Sequence, residues 1–330
     1  MTLDVAIVGA GMAGLSCALA LARHGHRVTV FDKGRAAGGR IATRRTGESS
    51  FNHGAQYATA RSPSFHALMT ELQATGVAAP WEAAQEGKDV RWSGLPGMSA
   101  ITRHLALQLP QLPLAERHVA FLHRGDGGWT LRHMASEEIA PGTVADSGGE
   151  VSGPFDAVLL ALPSPQAVPL LAAIGHRFAG RAAATGYAPC WAGMASFAET
   201  VEAPDAQRLR DCGPLGWVAR ESSRPGHPGG PDAWALHATA EWSRANLERD
   251  AASVAADLVA AFQDLTGAPD PIHAAARRWR YALVEQALGQ PCLWDDAAGI
   301  GTCGDWCLGG RVEAAFTSGE ALAAAVSPPT

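Results

Sequence analysis

At 330 residues the chain has the length for one large or two ordinary domains, and 47% hydrophobic against 18% charged residues excludes a disordered protein. A net charge of −6 supplies no basic field for a phosphate backbone, which excludes a nucleic-acid partner. Six scattered cysteines without paired C-x-x-C elements predict neither a zinc site nor a disulfide framework, and no apolar run approaches the ~20 residues that span a bilayer, so a reducing, cytoplasmic setting with no metal and no membrane partner is expected.

The first element, Val5-Ala6-Ile7-Val8, is a short apolar run suited to a buried parallel strand. It lacks the basic flank of a signal peptide and belongs to the motif that follows. Gly9-Ala10-Gly11-Met12-Ala13-Gly14 leads into an Ala/Leu-rich helix over residues 15–24, a Gly25-His26 turn, and a second strand, Arg27-Val28-Thr29-Val30-Phe31, ending at Asp32. This is the βαβ dinucleotide fingerprint in full context. Gly9 permits the turn, Gly11 admits a pyrophosphate to the backbone, and Gly14 lets helix and strand pack closely. The helix N-terminus faces the phosphates, and Asp32 accepts hydrogen bonds from ribose hydroxyls, which disfavours a 2′-phosphate. Beyond it, Lys33-Gly34-Arg35-Ala36-Ala37-Gly38-Gly39-Arg40 resembles the second signature of flavin amine-oxidase-like enzymes, in which the arginine offsets diphosphate charge; a surface loop with a solvated arginine is the alternative. This extension favours FAD over NAD.

Residues 51–57 and 94–109 are expected to contact the nucleotide domain, and residues 141–153 and 224–232 to be turn-rich surface loops. Phe155-Asp156-Ala157-Val158-Leu159-Leu160-Ala161-Leu162-Pro163 reads as a buried strand with a proline-broken exit. Residues 166–289 carry another pattern, with a strand at Trp234-Ala235-Leu236-His237-Ala238-Thr239 and an amphipathic helix over about 247–265. Near the end, Gly299-Ile300-Gly301-Thr302-Cys303-Gly304-Asp305 is a strand running into Gly-Asp, which resembles the Gly-Asp by which two-dinucleotide-type flavoproteins place a carboxylate on the ribityl chain. Gly309-Gly310-Arg311-Val312-Glu313 then opens a helix to Ala325, whose free N–H groups can stabilise negative charge on a reduced flavin ring. The expected domains are 1–60, 94–165 and 290–330 for FAD, and 61–93 and 166–289 for substrate.

Met98-Ser99-Ala100-Ile101-Thr102, Gly54-Ala55-Gln56-Tyr57, His237-Ala238-Thr239, Trp242-Ser243, Cys303-Gly304-Asp305-Trp306-Cys307 and Gly310-Arg311-Val312-Glu313 together resemble the bacterial renalases, essentially end to end. The resemblance implies an α/β fold: a two-dinucleotide-binding-type FAD domain, p-hydroxybenzoate-hydroxylase-like, with a discontinuous, mostly β substrate domain. It implies non-covalent FAD, and oxidation of the 2- and 6-dihydro isomers of NAD(P)H to NAD(P)+ with O2 reduced to H2O2. Cofactor contacts are expected from Gly9, Gly11, Met12, Ala13 and Gly14, from Asp32, Lys33, Gly39 and Arg40, from Gln56 and Val119, and from Asp305, Arg311 and Val312. The chain departs from the family at Asn52-His53, where an acid is usual, at Ala58, where an aromatic is usual, and at Leu283-Val284, in place of Arg-Pro.

Removing hydride from C2 or C6 of a dihydronicotinamide yields an aromatic pyridinium directly, so no general base is required and no catalytic side chain is assigned. Trp191, His237, Trp279 and Tyr281 are candidate pocket walls; Gln56, Tyr57 and Thr59 are candidate readers of the carboxamide. Trp191 and Trp279 equally fit core packing, and His237 a satisfied strand histidine. Cys303 and Cys307 read as buried inert thiols. Two other readings stand beside this one. An amine oxidase typically holds a water near the flavin with a lysine in its second half, and this chain has 24 arginines but only Lys33 and Lys88. A flavin-binding protein without turnover is the third, against which the intact helix start at Arg311–Glu313 argues.

Overall fold

The structure is a computed structural model that describes residues 1–135 and 148–327. The chain forms two compact units, one of Met1–Gly39, Thr102–Gly186 and Val284–Thr330, the other of Arg40–Ile101 and Tyr187–Leu283.

The first unit is built on a five-stranded sheet in the order Leu293–Asp295, Ile300–Thr302, Ala157–Leu160, Asp4–Val8, Arg27–Phe31. Only the Leu293–Asp295 edge runs antiparallel; the inner strands are parallel, with Val5 opposite both Ala157 and Val28. Val5, Ala6 and Ile7 and their neighbours Val158, Leu159 and Leu160 are fully buried, which is why these strands read as continuous apolar runs instead of alternating ones. The helix Met12–Arg23 follows the first strand and packs along the C-terminal helix Val312–Val326. Their approach is close: the Ser16 hydroxyl donates to Phe316 O at 2.9 Å, and a Cβ on Gly319 would lie 2.1 Å from Ser16 Oγ. An antiparallel sheet of His118–Gly125, Gly128–Met134 and Glu150–Phe155 completes this unit, with the helices Ser164–Ala173 and Phe178–Ala183.

The second unit carries a five-stranded sheet in the order Ala206–Cys212, Leu215–Arg220, Asp232–Ala238, Gly186–Phe197, His273–Gln286. Trp191, Phe197 and Trp234 on this sheet bury against Val254, Leu258 and Phe262 of the helix Ala251–Thr266. That helix starts later than its apolar periodicity suggests because Asp250 caps it, accepting from Ser253 N at 2.9 Å; Gly267, left-handed at φ 72°, ends it. A small sheet of Ala58–Thr59, Arg91–Gly94 and Ala78–Pro80 lies beside the helix Pro63–Ala74.

The division differs from the expected domains in four places. Residues 40–60 and 94–101 cluster with the second unit, since Phe51 buries against Met194 and Ala233 and Ala58–Thr59 pairs with Arg91–Gly94. Residues 166–186 and 284–289 cluster with the first. Two expected loops also change. Residues 141–147 lie outside the described residues, but Glu150–Phe155 is a strand that pairs with Gly128–Met134. Arg224, at the head of the second loop, is buried at 3% exposure. Among the described residues no helix is long and apolar enough to cross a membrane.

Candidate functional site

In the first unit the three fingerprint glycines have different reasons to be glycine. Gly9 sits at φ +111°, and a Cβ there would come within 2.5 Å of Ala161 O. A Cβ on Gly14 would lie 1.8 Å from Gly9 O, so Gly14 is required by the contact of helix and turn. A Cβ on Gly11 would meet nothing within 4 Å. Among the described residues nothing fills the space that Gly11 keeps open, and the helix beginning at Met12 has no side-chain cap on its N–H groups. Met12 and Ala13 are themselves buried in that first turn. An open turn before an uncapped helix start, with first-turn N–H groups left over, has the features a phosphate-binding turn requires. The second signature folds back onto it: Gly38 N donates to Ala10 O at 3.0 Å, and Gly39, at φ +57°, would bring a Cβ 3.6 Å from Gly11 Cα.

Asp32 has a structural task that the sequence does not announce. Its two oxygens accept from Ala10 N and Gly34 N, each at 2.6 Å, and so brace the glycine turn. Burial holds its carboxyl above the usual range, opposed by those two N–H groups and by Lys33. Each carboxylate oxygen has a second lone-pair site, so a ribose hydroxyl can still be bound. Arg40 falls in the second unit; its guanidinium donates to Tyr281 O at 3.3 Å and lies 5.6 Å from the Tyr187 ring.

At the same end of the sheet as Gly9, beyond the C-terminus of the parallel strand Ile300–Thr302, Gly304 carries φ +157° and Asp305 is buried; Asp305 O accepts from Gly309 N at 2.6 Å. Ser318 pins this turn, accepting from Gly304 N at 2.9 Å and donating to Pro291 O at 2.6 Å. Arg311, exposed and extended, precedes the helix Val312–Val326, which also lacks a side-chain cap. Val119 is buried in the antiparallel sheet opposite His133. Cys303 and Cys307 are fully buried, and both thiols are pushed well up: Cys303 by a hydrogen bond with Cys17 and by burial, Cys307 chiefly by burial. Such thiols are poor nucleophiles.

In the second unit the candidate substrate residues separate. Trp191 is a core residue, with its indole N–H donated to Asn246 O at 3.0 Å, and is no pocket wall. Tyr57 packs on Trp217 with the Arg91 guanidinium 4.4 Å from its ring, and Thr59 pairs with Arg91 in the small sheet. Tyr281 meets Tyr187 edge-on. Gln56 is a hub and not a free reader. Its Oε1 accepts from Arg224 Nη2 at 2.7 Å and Trp217 Nε1 at 3.3 Å, while its Nε2 faces Asn52 O, Gly54 O and His237 Nε2.

Two features are absent from the expected site. One is a buried ion pair, Arg224 Nε to Glu221 Oε2 at 2.7 Å, whose carboxylate also accepts from Asn52 N and Nδ2 at 2.9 and 2.7 Å. The other is His53, whose ring stacks on Trp279 at 5.2 Å and 13°, while Trp279 Nε1 donates to His53 O at 2.9 Å. Burial pushes His53 down to about 4, assisted by Arg277, His237 and Arg44; burial and then Arg224 push His237 down to about 4. Both rings are neutral at physiological pH.

Residues 7–72 match the family model described as an NAD(P)-binding Rossmann-like domain. The L-glutamate oxidase precursor of Streptomyces viridosporus is 46% identical over 78 residues, covering 21% of this chain and 12% of that protein. An L-amino-acid oxidase of Echis ocellatus is 40% identical over 68 residues, 21% of this chain and 13% of that protein. The chain thus spans only a small fraction of the length of these relatives. Among solved structures, a protein from Exiguobacterium sp. 255-15 described as a candidate protoporphyrinogen oxidase aligns with a TM-score of 0.70 at 13% identity over 99% of each chain. A redesigned putrescine oxidase aligns with a TM-score of 0.65 at 13% identity, also over 99% of each chain. The chain has the fold of the flavin amine-oxidase-like proteins, and FAD is the cofactor expected of it. The open turn at Gly11 and the two uncapped helix starts fit that dinucleotide.

Proposed function

We propose that the protein is an FAD-dependent oxidase that converts the 2- and 6-dihydro isomers of NAD(P)H to NAD(P)+ while reducing O2 to H2O2. The balance is one dihydropyridine, one O2 and one proton in, one pyridinium and one H2O2 out. When bound, FAD would supply the hydride acceptor and the route for the electron pair to O2. The residues of the first unit hold it: Gly11 and the helix N-termini take the diphosphate and the ring carbonyl, Asp32 the adenosine ribose, and Asp305 the ribityl chain.

The observation that carries the substrate reading is the character of the second unit's polar cluster. Its titratable rings, His53 and His237, are both held near 4, and Gln56 is fully engaged, so the cluster holds no base tuned to neutral pH. A reaction that makes its own aromatic cation needs none. Trp279 and His53 supply a flat surface for a planar ring. A second reading, oxidation of an amine or amino acid, is favoured by the activities named for the sequence relatives. Against it stands the lack of any lysine beyond Lys88.

The test is product analysis in air. The purified yellow protein given 6-dihydro-NAD yields NAD+ and H2O2 in equal amounts. Consumption of the isomer without peroxide, or no consumption beside turnover of L-glutamate or putrescine, would remove this reading.

A further inference from the structure

His53 is a histidine with one unmet hydrogen bond. Only 7% of its surface is exposed, and its Nδ1 is buried without a partner, although the ring stacks on Trp279, whose Nε1 also donates to the His53 carbonyl. A buried polar atom left unpaired is costly unless something outside the chain completes it. The charges acting on this ring are cationic. Arg277 stands two residues before Trp279 on the strand His273–Gln286, hence on the same face, with its guanidinium 5.9 Å from the Trp279 ring. Arg44 lies opposite Phe51 in the short hairpin that leads to His53. Both arginines are exposed, and among the described residues neither has a carboxylate partner. Three other exposed arginines of this unit are neutralised, Arg61 by Asp89, Arg249 by Asp257 and Arg280 by Glu248. Arg45, Arg208 and Arg210 are exposed without such a pair among the described residues, but none of them acts on a buried ring with an unmet hydrogen bond.

We infer that His53, Arg44 and Arg277 form a subsite for an anionic group of the substrate. The inference rests on reading the second unit as the substrate domain. Guanidinium groups bind phosphate and carboxylate oxygens through charge-assisted hydrogen bonds, and a neutral imidazole adds a directed donor. An ammonium group is repelled there. Two sources carry the required chemistry, the phosphates of a dinucleotide and the carboxylate of an amino acid. The subsite therefore determines specificity by charge, admitting nucleotides or amino acids and rejecting simple amines.

The experiment is a fluorescence titration of tryptophan in the FAD-loaded protein with pyrophosphate, acetate and putrescine, in wild type and in the Arg44→Ala/Arg277→Ala double variant. Both sites are exposed, so the variant folds. Pyrophosphate is expected to bind wild type and to weaken on the order of ten-fold or more in the variant. Binding of acetate alone, lost in the variant, keeps the subsite and assigns it to a carboxylate. Anion binding that the variant retains, or binding of putrescine in preference to both anions, overturns it. Flavin reduction by 6-dihydro-NAD separates the two claims. Reduction unaffected by the double substitution sinks the subsite and leaves the oxidase standing. Anion binding lost in the variant, with no reduction by the isomer in either protein, keeps the subsite and sinks the proposed substrate.

Discussion

Gly11 and Gly14 stand three residues apart in one motif, and their substitution should have opposite consequences. A methyl on Gly14 collides with Gly9 O, so Gly14→Ala should lower stability by at least about 1–3 kcal/mol, read as a fall in Tm. A methyl on Gly11 collides with nothing among the described residues. Gly11→Ala should leave the Tm of the flavin-free protein unchanged while abolishing retention of flavin on dialysis. Equal behaviour of the two variants would mean that Gly11 serves packing and not a ligand. His53 gives a prediction in pH. Its folded pKa is depressed from 6.5 to about 4, so the unfolded chain binds the extra proton between those values. Stability is therefore full above about pH 6.5 and declines as pH falls towards 4, by about 3 kcal/mol from this ring alone at the order-of-magnitude level. Urea midpoints measured from pH 7 to 4.5 should fall more steeply for wild type than for His53→Asn. Parallel curves would show that the ring titrates normally. His53 was visible in the sequence only as a departure from a family pattern, because nothing near it in the chain announces Trp279, 226 residues away.

At the scale of elements, what could be read from sequence follows how local the determining contacts are. The strands Asp4–Val8 and Arg27–Phe31 lie within a residue of their expected positions, and the helix Met12–Arg23 begins three residues before the expected start at Leu15 because its first turn includes the last fingerprint glycine. Periodicity and turn glycines settle these elements within a short window. Arg224 is the contrary case. It lies in a Ser-Ser-Arg-Pro-Gly stretch that reads as surface, yet its guanidinium reaches Gln56 O and Oε1, 168 residues away. Composition of a loop does not reveal a partner that distant. The buried pair can be tested directly. Arg224→Ala leaves Glu221 buried and unpaired and should cost about 3–5 kcal/mol, whereas Glu221→Gln/Arg224→Met should recover much of that loss. A double variant no more stable than the single one would mean that Arg224 acts through Gln56 and Trp81, not through charge pairing; its guanidinium lies 3.8 Å from the Trp81 ring. The two helices that begin at the nucleotide site depend on each other in the same way. Gly319→Ala would place a methyl 2.2 Å from Ala13 O, force the helices apart, and should lower both Tm and flavin retention.

For the whole molecule, the two ends of the chain are legible in sequence. In the middle the strands Ala157–Leu160 and Asp232–Ala238 and the helix Ala251–Thr266 are legible, while the grouping of residues 40–60 and the role of Trp191 are not. The fingerprint and the Gly304-Asp305 turn are short motifs whose backbone geometry demands particular residues, and both lie in the first unit. Residues 40–60 do hold a constrained glycine, Gly54, whose Cβ would lie 2.1 Å from Arg40 O, but their assignment to a unit is decided by what Phe51 and Ala58 pack against. The candidate substrate residues suffered similarly. Trp191 has the composition of a pocket wall and the surroundings of a core, and only tertiary packing distinguishes the two. The central claim concerns the whole protein, that it takes hydride from misreduced dinucleotides. Anaerobic stopped-flow at the flavin absorbance tests it most directly, mixing the yellow protein in turn with 2-dihydro-NAD, 6-dihydro-NAD, ordinary 4-dihydro NADH, L-glutamate and putrescine. Rapid bleaching by the 2- or 6-dihydro isomer, with the other three slow, is the predicted result; rapid bleaching by the amino acid or the amine, with none by either isomer, would contradict it.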